Sequence, residues 1–108
     1  MKTVLIAFAF LGSIWGFGEK TASVKVYGNC GMCKSRIEKS LKIEGVSKAD
    51  WDSKTKLLTI SFDDEKTSLK EIEKKIAGVG HDTQNVNADN EIYNKLPGCC
   101  KYDREKKN

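Results

Sequence analysis

The chain has only one histidine, His81, and one proline, Pro97, and both scarcities narrow its chemistry. A lone imidazole, with no nucleophile motif around it, gives no acid–base pair of recognisable catalytic geometry. No glycine-rich phosphate loop is present either, which removes the common nucleotide-dependent activities. No apolar run reaches the roughly 20 residues that span a bilayer, so a permanent transmembrane anchor is not expected. Charge of one sign is also scarce. The net charge is +4 and charged residues make up 31% of the chain, with acids and lysines interspersed, which describes an ordinary soluble surface and not a nucleic-acid binder. Clusters such as Lys70, Glu71, Glu73, Lys74 and Lys75 read as the solvated face of a helix.

The first 18 residues differ from all that follow. Lys2 supplies a positive start, an apolar run extends to Leu11, and Gly16 and Gly18 provide the small residues that signal cleavage needs. Residues 1–18 are therefore expected to be a signal peptide, with the mature chain starting at Glu19 and Ala22 as the alternative. The product would be exported, to the periplasm or beyond the cell. No cysteine follows the apolar run, which argues against a lipid-anchored amino terminus. The remaining length suits one domain, residues 19–87, and a tail, residues 88–108.

Within that domain the hydrophobic period changes four times. Val24 and Val26 alternate with Lys25 and Tyr27, as in a half-buried strand that ends at Gly28-Asn29. Cys33, Ile37 and Leu41 then fall four apart, the spacing of an amphipathic helix closed by Gly45. Val46, Ala49 and Trp51 precede a polar turn at Asp52-Ser53-Lys54-Thr55, and Leu58, Ile60 and Phe62 alternate after it, which predicts a hairpin. Ser68, with Glu71 three positions on, has capping-box spacing and opens a second helix whose Leu69, Ile72 and Ile76 face the core. Asp82 to Val86 is read as a short edge strand. The order predicts an α+β fold, a ferredoxin-like βαββαβ sandwich with two helices on a four-stranded antiparallel sheet. Ile92, Tyr93 and Leu96 give the tail a short helix, and Lys101 to Asn108 are too charged to pack and are expected to fray.

Export would normally make four cysteines a disulfide framework. Their spacing argues otherwise. Cys30 and Cys33 are two residues apart and Cys99 and Cys100 are adjacent, so neither pair would staple distant segments, and short loops stabilise little when closed. Chemistry at the sulfurs is the better explanation. Two thiols at a strand-to-helix junction converge on one ion, and the positive end of the helix, with Lys34 beside it, favours thiolates. Soft thiolates select Cu(I), Hg(II) and Zn(II) over hard ions, and a bare pair suits the low coordination of Cu(I) and Hg(II) better than the four ligands of zinc. A thiol–disulfide oxidoreductase is the rival reading of Cys-x-x-Cys, but such enzymes set a cis proline beside their cysteines, whereas Pro97 precedes Gly98-Cys99-Cys100 and a charged tail. A disulfide-stapled structural protein is the third.

The stretch from Val24 to Leu41, with Gly28-Asn29-Cys30-Gly31-Met32-Cys33 at its centre, resembles the opening of a heavy-metal-associated domain. Gly45-Val46 and the Leu58, Ile60, Phe62 strand extend the likeness to about residues 23–86. This is the module of copper chaperones, copper-pump amino termini and periplasmic mercury-binding proteins. The resemblance implies metal binding and transfer without catalysis by a monomer, a metal transporter or acceptor protein as partner, and Cys30 and Cys33 as ligands for Cu(I) first, Hg(II) or Zn(II) otherwise. Members usually carry methionine where Gly28 stands, packed beneath the loop, and zinc-selective members an acid where Asn29 stands. His81 occupies the loop that the fold brings beside the metal, where an imidazole is a possible further ligand. Met32 is read as a loop methionine, with a weak thioether ligand as the alternative. Cys99 and Cys100 are read as a second thiolate source, against a vicinal disulfide or idle thiols.

Overall fold

The computed structural model describes residues 19–104; the expected signal peptide, residues 1–18, and the last four residues lie outside them. Three strands form one antiparallel sheet in the order β1-β3-β2: β1 (Glu19–Lys25), β2 (Val46–Trp51) and β3 (Leu57–Asp63). Two helices, α1 (Gly31–Ser40) and α2 (Leu69–Ala77), interleave with them, and a one-turn helix α3 (Asn90–Asn94) and a 3-10 turn (Gly98–Cys100) follow.

Alternation decides which face of the sheet is buried. Leu58, Ile60 and Phe62 of β3 all point inward, and the register sets Val24 and Trp51 on either side of Leu58. Onto this face α1 lays Cys33 and Ile37 and its C-cap Leu41, and α2 lays Ile72 and Ile76, all essentially inaccessible. Each such aliphatic contributes about 1.5–3 kcal/mol by leaving water. Ser68 caps α2 by accepting from Glu71 N at 3.2 Å, while the Glu71 carboxylate lies 3.7 Å from Lys74 Nζ. β1 begins earlier than its hydrophobic pattern suggested. Its first residues are held by pairing, not burial: Glu19 to Asp63, Lys20 to Phe62, and a 3.0 Å hydroxyl contact between Thr21 and Ser61.

The expected fourth strand is reduced to a single bridge between Val26 and Thr83, flanked by Tyr27 N to Asp82 O at 2.9 Å and Gln84 N to Lys25 O at 2.8 Å. The reason lies in a buried carboxylate. Glu73 on α2 accepts from Thr83 Oγ1, from Asn85 N at 2.9 Å and from Asn85 Nδ2 at 3.0 Å, and Thr83 N turns back to Val86 O at 2.7 Å. A buried acid is tolerated when its oxygens are satisfied in this way, and satisfying them bends the segment into a turn.

The tail also departs from expectation over its described part, because Lys101 to Arg104 are docked and not frayed. Tyr102 is buried, accepting from Asp82 N at 2.8 Å and donating to Gly80 O at 2.8 Å, and its ring packs edge-on against Tyr93. Arg104 Nε and Nη2 grip both oxygens of buried Asp82 at 2.9 and 2.7 Å. Leu96 seats on Gly80, where φ is +107° and a Cβ would come within 2.9 Å of the leucine; only glycine meets both conditions. Two aromatic residues and one arginine, against the charged remainder, are enough to dock the segment.

Candidate metal centre

The loop that carries the first cysteine pair is shaped from below. Trp51, at the end of β2, donates Nε1 to Val26 O at 2.9 Å and lies under Gly28, where an added Cβ would be 3.1 Å from the indole and 3.1 Å from Cys33 Cβ. The indole thus fills space beneath the loop, and Gly28 is small because Trp51 is there. Lys56 closes the arrangement, donating Nζ to Gly28 O at 2.7 Å and lying 5.7 Å from the indole centroid.

Cys30 is the N-cap of α1, in extended conformation, and Cys33 sits in the first turn. Their sulfurs are 3.7 Å apart, and Asn29 N donates to Cys33 Sγ at 3.3 Å. Cys30 is half-buried, Cys33 and Cys100 are buried, Cys99 is exposed, and all four are free thiols. Backbone N–H groups at the helix start, that of Cys33 above all and then that of Met32, bring the Cys30 thiol down to about 7, against a smaller opposing effect of burial.

The 3-10 turn delivers the second pair to the same place. The Sγ atoms of Cys30, Cys99 and Cys100 all lie within 4.8 Å of one another, and Cys99 and Cys100 are separated by 4.0 Å. Asn29 Nδ2 donates to Cys99 O at 3.3 Å, tying loop to tail, and the Cys99 thiol lies 3.7 Å from exposed Met32 Sδ. Burial pushes the Cys100 thiol up to about 12, with the Cys33 sulfur adding to the effect and Arg36 opposing it.

The cation at the sulfurs is not the one expected. Lys34 Nζ is engaged by Glu38 Oε2 at 2.7 Å, Asp50 Oδ1 at 2.8 Å and Trp51 O at 2.8 Å, and these contacts, Asp50 first, hold its own ionisation higher than usual. Its charge is spent on carboxylates. Arg36, two residues on and one of several polar positions in the helical pattern, instead donates Nη1 to Cys100 Sγ at 3.1 Å. Nothing in a single sequence separates Arg36 from Lys34 for this role, because the contact depends on where the tail docks.

His81 is wholly buried beside the loop, with its ring stacked on Tyr102 at 5.6 Å. Nδ1 lies 2.8 Å from Tyr27 O, a carbonyl that can only accept, so Nδ1 carries the proton and Nε2 is left with a lone pair and no partner. Burial lowers its pKa, with the nearby Arg36 charge acting in the same direction and the Tyr27 O contact opposing it. It is not in the group of three ligand atoms formed by Cys30, Cys99 and Cys100.

Comparison with known proteins points to one family of domains. Residues 29–82 fit the profile of the heavy-metal-associated domain. A mercuric transport protein periplasmic component from Shewanella putrefaciens is 43% identical over 54 residues, which cover 49% of this chain and 59% of that protein. A copper-exporting P-type ATPase from Staphylococcus saprophyticus is 38% identical over 72 residues, 65% of this chain and 9% of the ATPase. Among solved structures, oxidized MerP from Ralstonia metallidurans superposes with a TM-score of 0.58 at 34% identity, covering 61% of this chain and 94% of that one.

Proposed function

Because the chain belongs to the heavy-metal-associated domain family, we propose that it binds one soft metal ion as cargo between Cys30 and Cys33 and passes it to a protein acceptor, with Cu(I) as the ion and no catalytic step. One observation supports this reading: two sulfurs 3.7 Å apart at the start of a helix, one of them on a thiol held near 7. An incoming acceptor thiolate bonds to the ion and displaces half-buried Cys30 first, while buried Cys33 keeps its hold until a second acceptor thiolate replaces it. Transfer then proceeds by exchange of one thiolate at a time. Oxidation of the pair to a disulfide blocks loading, because only thiolates bind.

The mercuric transport relative favours a second reading, Hg(II) as the cargo; the same pair serves either ion, and Zn(II) is the least suited to it. Anaerobic titration of the reduced protein with Cu(I), Hg(II) and Zn(II) under competing chelators ranks the three, and insulin reduction tests for oxidoreductase activity. The C30S/C33S variant should lose tight binding and keep its fold. Retention of stoichiometric Cu(I) by that variant would place the site elsewhere.

The domain limits belong to the same proposal: residues 1–18 as signal peptide, 19–87 as metal-binding domain and 88–108 as tail, in a monomer exported to the periplasm or beyond. Among the described residues no helix is long and apolar enough to cross a membrane.

A further inference from the structure

The geometry points to Cys99 and Cys100 as thiolate ligands of the same cargo ion, so that Cys30 is shared between the Cys-x-x-Cys pair and a tail-borne pair and the ion takes at least three sulfurs. This rests on the reading of Cys30 and Cys33 as the metal site and extends it by naming the coordination.

Three observations carry the inference. The first is distance. An ion bound at about 2.3 Å from each sulfur separates two collinear thiolates by about 4.6 Å, but separates the members of a trigonal or tetrahedral set by only about 3.8–4.0 Å. The sulfurs of Cys30 and Cys33 stand 3.7 Å apart and those of Cys99 and Cys100 4.0 Å apart, and Cys30, Cys99 and Cys100 all lie within 4.8 Å of one another. The spacings therefore suit a set of three or four better than a line of two, and less than 1 Å of closure brings the tail sulfurs into register.

The second is that the tail is built in place and not draped. Cys100 is buried, Cys100 N is bonded to Pro97 O at 2.9 Å, and the turn is held between Leu96 on Gly80 and Tyr102 under Asp82. Asn29, next to Cys30, donates to Cys99 O at 3.3 Å. Sulfurs aimed in this way lose little freedom on binding, which is what favours a multidentate site.

The third is charge. Each thiol that binds gives its proton to solvent, so a univalent ion with three thiolates carries a charge of about −2, and a divalent one about −1. Arg36 Nη1 is 3.1 Å from Cys100 Sγ and supplies a fixed positive charge there, and the start of α1 supplies its dipole.

The test is X-ray absorption on the reduced protein with one equivalent of Cu(I) and, separately, of Hg(II), together with mass-spectrometric counting of cysteines protected from alkylation. The expected result is three or more sulfur neighbours, with exposed Cys99 shielded by either ion. In the C99S/C100S variant the count should fall to two and the dissociation constant should rise at least tenfold. Two sulfurs in the unmodified protein, with Cys99 still freely alkylated, overturns the proposal and leaves the Cys30–Cys33 reading standing; this arm needs no variant, so misfolding of C100S does not obscure it. Binding no tighter than that of C30S/C33S overturns both.

Discussion

Two segments bring sulfur to one point, and they are held there by different physics. The Cys30–Cys33 loop is positioned mainly by backbone, since β1 leads into it and α1 starts within it, with the Trp51 and Lys56 side chains filling the space below. The Gly98–Cys100 turn is positioned almost wholly by side chains, through Leu96 on Gly80, Tyr102 between Gly80 and Asp82, and Arg104 on Asp82. A backbone-built loop brings amide donors to its thiol and acidifies it. A side-chain-built turn buries its thiol in apolar surroundings and does the reverse. The same residue type therefore arrives with opposite acidity, Cys30 at about 7 and Cys100 at about 12.

That contrast gives the largest expected effect. In the reduced, metal-free protein the alkylation rate of Cys30 should rise with pH and reach half its plateau near 7, because only the thiolate reacts, and its population grows from about one-tenth to about nine-tenths between roughly pH 6 and 8. Cys100 should stay essentially unreactive over the same range, protonated until pH approaches 12. Site-resolved mass spectrometry after timed alkylation measures both. A common midpoint near pH 9 for the two cysteines would erase the distinction between the segments.

The next effect attacks the tail's support. R104A leaves the Asp82 carboxylate buried without its bidentate partner, and breaking a buried pair from one side costs about 3–5 kcal/mol. Urea unfolding should register the loss. If the tail were an appendage with no bearing on the core, stability would stay within about 0.5 kcal/mol. Y102F is milder. It removes one hydroxyl that serves both Asp82 N and Gly80 O at 2.8 Å, so two buried backbone groups lose a partner while the ring stays, a cost of about 1–3 kcal/mol. An unchanged midpoint would mean that ring packing alone docks the tail.

How much of this was legible in the sequence follows the same division. The period-four spacing of Cys33, Ile37 and Leu41 and the alternation of Leu58, Ile60 and Phe62 predicted elements that the structure contains, because both are local patterns read against one buried face. The Cys-x-x-Cys pair at a strand-to-helix junction was legible for the same reason. The failures came where a distant side chain decides. Glu73 looked like helix surface, yet it is buried and turns residues 83–86 away from a full strand. Tyr102 and Arg104 were submerged in a charged run. Arg36 was indistinguishable from Lys34 until the tail's docking showed which of them faces sulfur. Gly28 was noted as unusual, but its cause, an indole from β2 under the loop, could not be read from neighbours in sequence.

The smallest effect sits where the two segments touch. Asn29 Nδ2 donates to Cys99 O at 3.3 Å on an exposed surface, while the Asn29 backbone N–H, which holds Cys33 Sγ at 3.3 Å, survives any side-chain change. N29A therefore removes one side-chain link between loop and tail and leaves the backbone contact to Cys33 in place. A solvated hydrogen bond of this kind is worth less than about 1 kcal/mol, so unfolding should barely shift, and alkylation of Cys30 should keep its midpoint because the amides that acidify it are untouched. What should change is retention of the ion. If Cys99 and Cys100 share the ion with Cys30, loosening the tail by less than 1 kcal/mol weakens metal affinity by a factor of about 2–5, and C99S/C100S should abolish that sensitivity. A double-mutant cycle on Cu(I) affinity against a competing chelator measures the coupling. If N29A weakens binding equally with and without the tail cysteines, Asn29 acts on the Cys30–Cys33 loop alone and the two segments are neighbours that do not cooperate.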